Sequence, residues 1–112
     1  MPVRGIRRRY LYFTISGSKI DEKNVQECIT HSILELYGLK GMSHIDPNLI
    51  EFKENLQEGI IRCTHDNERF LRTALAFLTS YNKNTLAIRV WKSSGTIKSL
   101  RAKVNPLNKS QL

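Results

Sequence analysis

The sequence predicts an α+β sandwich. A four-stranded antiparallel sheet carries its two crossover helices on one face and is followed by a short C-terminal helix. Three observations lead there. Four β-prone runs and two apolar stripes at helical spacing succeed one another in the order βαββαβ. The connections are short and rich in Gly, Asn, Ser and Pro. The 112 residues give one modest core, enough for a single domain.

The first strand is expected over Arg9–Ser16, where Leu11, Phe13 and Ile15 alternate with Tyr10, Tyr12 and Thr14. Ser16-Gly17-Ser18 breaks it. A helix starts near Asp21, where this acid and Glu22 suit the positive end of the helix dipole. Its stripe is Val25, Cys28, Ile29, Ser32, Ile33, Leu36 and Tyr37, and Gly38 and Gly41 end it. After a loop containing Pro47, strands are expected at Leu49–Glu54 and Gly59–Thr64. Ile50 and Phe52 share one face of the first, Ile61 and Cys63 one face of the second. Asp66 or Asn67 caps a second helix that turns Phe70, Leu71, Ala74, Leu75, Leu78 and Tyr81 inward. Asn82-Lys83-Asn84 leads into a last strand, Thr85–Trp91, in which Leu86, Ile88 and Val90 alternate with Ala87, Arg89 and Trp91. Ser93-Ser94-Gly95 closes it, and Thr96–Val104 forms a short helix before Pro106. Two right-handed crossovers in this order give the split βαβ, or ferredoxin-like, architecture. Residues 1–8 are then a basic N-terminal arm, 9–104 the domain and 105–112 a frayed tail.

Charge is segregated along the chain. Residues 1–20 hold five basic and no acidic side chains, residues 21–68 hold all ten acids with four bases, and residues 69–112 hold nine bases and no acid. In the expected topology the first and last strands are neighbours, so the two acid-free ends meet. They form one basic surface from Arg4, Arg7, Arg8, Arg9, Arg89, Lys92, Lys98, Arg101 and Lys103, suited to a polyanion. With both crossover helices on one face, the other face of the sheet displays Tyr10, Tyr12, Arg62, Arg89 and Trp91. That is the mixture of rings and cations that suits bases and phosphates of RNA. The same rings would also serve a protein interface. The aromatic pair of the RNA-recognition motif is absent from Glu58-Gly59-Ile60-Ile61-Arg62-Cys63. At Ser94-Gly95-Thr96-Ile97-Lys98, a sharp turn at Gly95 and a cap at Thr96 or Ser94 would open a helix end to a phosphate, beside Lys98 and Arg101.

No active site can be assembled. His31, His44 and His65 lack ligand spacing, and no Ser-His-acid set or glycine-rich phosphate loop is present. Cys28 and Cys63 sit in apolar patterns and read as buried thiols rather than a disulfide or a zinc site. No apolar run is long enough to cross a bilayer and no signal peptide opens the chain, so an intracellular location is expected. A metal-dependent ribonuclease on the same fold is the alternative, but such enzymes place an acid where this chain has Ser16-Gly17-Ser18. A small-molecule regulatory module would leave the segregated charge without a role.

Three segments then fit a known pattern in order and separation: Arg8-Arg9-Tyr10-Leu11, Gly59-Ile60-Ile61-Arg62-Cys63 and Ser94-Gly95-Thr96-Ile97-Lys98. From about Arg8 to Lys103 the chain resembles ribonuclease P protein component 2, in its compact archaeal form. The resemblance implies a subunit of the enzyme that trims the 5′ leader from precursor tRNA, in the cytoplasm of the cell. It implies catalysis by the RNA with bound Mg2+, no cofactor held by this chain, and no cutting by the protein alone. It also implies protein partners: ribonuclease P protein component 3, in a two-plus-two assembly, and the other protein subunits.

Overall fold

The computed structural model describes residues 6–110, with side chains through Val104. Strand β1 (Arg8–Gly17) is followed by α1 (Glu22–Ile45), β2 (Asn48–Lys53), β3 (Glu58–Thr64) and a 3-10 turn at His65–Asn67. Then come α2 (Glu68–Phe77), β4 (Ser80–Tyr81), β5 (Asn84–Ser94) and α3 (Ile97–Ser110). The sheet is antiparallel in the order β2-β3-β1-β5-β4. The expected βαββαβ frame is therefore present, with β1 between β3 and β5, but the sheet has five strands rather than four.

The fifth strand arises where the helical stripe was read too far. Leu78 and Tyr81 extend the spacing of α2, yet the helix stops at Phe77 and Leu78 is already extended. Asn82 and Lys83 both adopt positive φ, 51° and 70°, and fold Ser80–Tyr81 back onto Asn84 and Thr85 as a two-residue hairpin. Leu78 is still buried, and the Tyr81 ring packs against the core from the new strand. Helix α1 also differs. Gly38 does break it, with φ 72°, but the helix resumes and runs to Ile45, because Met42 and Ile45 pack on the same core. At its start Asp21 accepts the Asn24 N–H at 3.0 Å, the capping bond expected of an aspartate there. Asn67 stands at the start of α2 without a capping bond; its side chain donates instead to the His44 carbonyl, at 3.1 Å, and to Thr64 Oγ1.

The main core lies between the sheet and α1 and α2. Leu11 and Phe13 of β1, Ile33 of α1, Ile61 and Cys63 of β3 and Leu71 of α2 are almost wholly excluded from solvent. Ser32 is buried among them and donates to the Ala74 carbonyl at 2.8 Å, joining the two helices. A bulge between Leu49 and Glu51 changes the reading of β2. Leu49 and Phe52 face the main core while Ile50 lies on the opposite side, so Ile50 and Phe52 do not share a face.

The far face of the sheet is not open. Ile97, Leu100 and Val104 form a stripe along α3 and pack on Ile60, with Tyr10, Tyr12 and Ile50 around them. Helix α3 also continues past Pro106 to Ser110. Two features missed in the sequence lock the frame. Gln57 is buried in the β2–β3 turn with φ 52°, and its amide both accepts from the Ile20 N–H and donates to the Ile20 carbonyl, at 3.1 and 2.9 Å. Gly59 lies under the stacked rings of Phe13 and Phe52, where a Cβ would stand 2.6 Å from the Glu51 carbonyl oxygen and 2.9 Å from Phe13 Cζ. Neither neighbour is free to yield. Gly59→Ala is expected to cost about 1–3 kcal/mol of stability. Urea unfolding should show a lower midpoint at unchanged slope.

Candidate nucleic-acid interface

Pairing of β1 with β5 brings the two ends of the chain together as the charge pattern requires. Tyr10 is opposite Ser94 and Tyr12 is opposite Lys92. Arg9 Nη2 donates to Ser93 Oγ at 2.8 Å, and the Arg7 carbonyl accepts the His65 N–H. Arg4 lies outside the described residues.

The surface is nevertheless not one cationic plate, because acids from the middle of the chain reach into it. Arg8 pairs with Asp46 at 2.9 Å, Arg9 with Glu68 at 3.1 Å and Arg101 with Glu51 at 2.8 Å. Glu68 also accepts from Arg72 at 2.7 Å. Alternation puts Arg9 on the helix side of the sheet, opposite Cys63, while Tyr10 faces α3. Burial alone would raise the Glu68 carboxyl, but the Arg72 hydrogen bond and the charges of Arg72 and Arg9 outweigh it, and the group titrates below its ordinary value. Lys103 Nζ donates to the Ser93 carbonyl at 3.0 Å. Of the cations expected on this surface, Arg7, Arg89, Lys92, Lys98 and Lys103 have no acidic partner among the described residues.

The aromatic residues divide in the same way. Tyr10 and Tyr12 are half-buried against α3, so the face expected to display them is covered by that helix. Tyr12 donates to Glu58 at 2.7 Å, and burial, then the Glu58 hydrogen bond and charge, push its hydroxyl up to about 12. Arg62, opposite Tyr10 in β3, is half-buried on this side as well. Trp91 is more exposed than either tyrosine. It occupies a bulge in β5, between Val90 opposite Phe13 and Lys92 opposite Tyr12, and is 47% exposed. Its Nε1 donates to Thr14 Oγ1 at 2.8 Å, and the Arg89 guanidinium lies over the indole, 4.1 Å from the ring centroid. Thr14 was legible as a member of the outward face of β1; the bulge that sets Trp91 beside it was not.

At the β5–α3 junction Thr96 is the cap, accepting the Ser99 N–H at 3.1 Å, while Ser94 is buried in the strand. Gly95 does not adopt the left-handed conformation, and a Cβ on it would approach only Arg9 Nη1, at 4.0 Å. The turn itself therefore does not demand glycine. Lys98 is exposed at this helix end, whereas Arg101 turns to Glu51.

Elsewhere the chemistry is sparse. Cys28 and Cys63 are free and buried, their thiols raised by burial to about 11 and about 12. No group of three or more His, Cys, Asp or Glu converges among the described residues, and no helix there is long and apolar enough to cross a membrane. A polar cleft of about 340 Å³ beyond the end of β1 includes Asp21 and Glu54. Both carboxylates already accept backbone N–H groups, from Asn24 and Glu22.

The sequence profile of the Rpp14/Pop5 family matches residues 9–105. The chain belongs to that family. Among curated relatives, ribonuclease P protein component 2 of Pyrococcus horikoshii is 38% identical over 98 residues, covering 87% of this chain and 82% of that protein. The corresponding protein of Methanococcus aeolicus is 32% identical over the same share of this chain and 71% of its own length. In fold, the chain is similar to one in the cryo-EM structure of yeast ribonuclease MRP, with a TM-score of 0.68 at 11% identity, covering 94% of this chain and 91% of the other. The family match thus begins at Arg9, in β1, and ends at residue 105, inside α3.

Within this member of the Rpp14/Pop5 family, the Arg9–Glu68–Arg72 cluster gives a pH prediction. Because the folded-state value of Glu68 is depressed, its stabilisation is present at neutral pH and lost as pH falls from the ordinary value of 4.5 through the folded one. Glu68→Gln should cost about 1–3 kcal/mol at pH 7. It should also flatten the decline of stability below pH 4.5, as followed by urea unfolding at several pH values.

Proposed function

We propose that this chain is a protein subunit of ribonuclease P, supporting the enzyme's RNA while that RNA removes the 5′ leader from precursor tRNA. The observation that carries the reading is the β1–β5 pairing, in a chain of the Rpp14/Pop5 family. It places Arg7, Lys92 and Lys98, which have no acid partner among the described residues, around one end of the sheet. Such cations hold phosphates and release counterions without reading sequence. Arg8, Arg9 and Arg101 serve the fold through ion pairs and meet RNA less directly.

Catalysis and the Mg2+ it uses belong to the RNA in this reading, and the chain holds no cofactor. Its direct protein partner is ribonuclease P protein component 3, in a two-plus-two assembly, among the other protein subunits in the cytoplasm. The metal-dependent nuclease has less support, since the acids nearest the end of β1 are occupied by backbone amides. Reconstitution tests the proposal: the purified chain with precursor tRNA and Mg2+ should cut nothing, and should raise cleavage when added to the ribonuclease P RNA with its companion subunits. Cutting by the chain alone would overturn it.

Salt dependence provides a residue-level check. Replacing Arg7, Lys92 and Lys98 together by Gln should lower the log–log salt slope of RNA affinity by about 0.7–0.9 for each phosphate left without its cation. Arg8→Gln with Arg9→Gln should instead lower stability more than it changes that slope, as compared by filter binding and thermal unfolding.

A further inference from the structure

Trp91 stands apart from every other large apolar side chain exposed in the described structure. Ile6, Leu39, Leu56 and Phe77 lie on the N-terminal segment, on α1, in the β2–β3 turn and at the end of α2. Trp91 alone is on the far face of the sheet, beside the α3-covered half. Its surroundings are polar or cationic: Thr14 and Arg89 touch it, Lys92 follows it, and the chain from residue 69 onward has no acid. Glu58 of β3, opposite Thr14, already accepts the Tyr12 hydroxyl.

We infer that Trp91, backed by Arg89, is a stacking platform for one unpaired base of the RNA, and that it reads the face of that base and not its edge. The geometry assigns each part. The indole has a single donor, Nε1–H, and Thr14 holds it, so no hydrogen bond remains for a base edge. That same bond fixes the ring on the sheet before any ligand arrives. Arg89 lies over one side of the ring and Trp91 is still 47% exposed, so indole surface remains for a second π-system with a positive charge beside it. A base within an A-form helix has both faces covered by its neighbours, so the platform takes a base from a loop, a bulge or an end. A protein hot spot is characteristically an apolar, desolvated pocket, whereas this indole is 47% exposed and meets the Thr14 hydroxyl and the Arg89 guanidinium. Tyr12, of the same sheet face, lacks this capacity because α3 and Glu58 engage it.

This inference rests on the ribonuclease P reading, and the experiment separates the two. Trp91 is the only tryptophan in the chain, so its emission reports on this site alone. Titrating the full chain with ribonuclease P RNA should quench that emission. An unpaired oligoribonucleotide should compete for the site, and a duplex of equal charge should not. Trp91→Ala should weaken RNA affinity about 5- to 150-fold, equivalent to about 1–3 kcal/mol. Trp91→Phe, which keeps a ring, should retain most of the affinity, with circular dichroism confirming that both variants are folded. Binding of RNA with unchanged emission and an unaffected Trp91→Ala would overturn the platform and leave the subunit reading intact. Loss of affinity for a companion protein subunit, with RNA affinity spared, would overturn it in favour of a protein contact. Failure of the wild-type chain to bind the RNA at all would overturn the subunit reading beneath it.

Discussion

Strand β1 sits between β3 and β5, and most of the molecule is organised around that placement. Its inward residues Leu11, Phe13 and Ile15 supply the floor of the main core, and its outward residues Tyr10 and Tyr12 supply the seat for α3. Its two neighbours are β3, from the middle of the chain, and β5, from its later part, so pairing with both closes the fold. A strand buried on both sides has little freedom in register, since a slip of one residue would exchange apolar and polar positions on each face. The register in turn sets Arg9 beside Ser93 and Thr14 beside Trp91. Local geometry at the candidate interface is therefore inherited from the core.

Electrostatics follow from the same closure, with one qualification that linear charge counts do not contain. The acids are confined to residues 21–68, but those residues fold against both ends. Asp46, Glu51 and Glu68 each reach a cation of a terminal segment. Arg8, Arg9 and Arg101 are thus partly structural, and the cations left without an acid among the described residues are Arg7, Arg89, Lys92, Lys98 and Lys103. The partly buried Glu68 pair should matter more to stability than the exposed Arg8 pair, whose screening by solvent leaves it worth little.

Much of the frame was legible. Strong period-two alternation in β1 and β5, the stripe of α1 and the Asn-Lys-Asn turn located the elements and the neighbour relation that matters most. What escaped has a common physical basis, since it depends on tertiary partners. Tyr81 has helical spacing but belongs to a hairpin set by two left-handed residues. Gly38 interrupts a helix that the core then resumes. Ile97, Leu100 and Val104 announced an amphipathic helix without saying which face of the sheet it covers, and the answer removed Tyr10 and Tyr12 from the accessible set. Gln57 looked like an ordinary turn residue, and only the structure pairs its amide with Ile20.

The bulge at Trp91 also resets the phase of its strand. Before it, Leu86, Ile88 and Val90 face the core; after it, Lys92 points outward with Tyr12, and Ser93 turns inward to meet Arg9. One supernumerary residue thus divides β5 into two halves of opposite parity. Ironing the strand flat with every residue kept would drive Lys92 toward the helices and pull the Ser93 hydroxyl away from Arg9. Removing the tryptophan outright would have neither effect, since Val90, Lys92 and Ser93 would then alternate on the faces they already occupy. The sheet has no need of the extra residue, so the ring is an insertion that the architecture accommodates without requiring it.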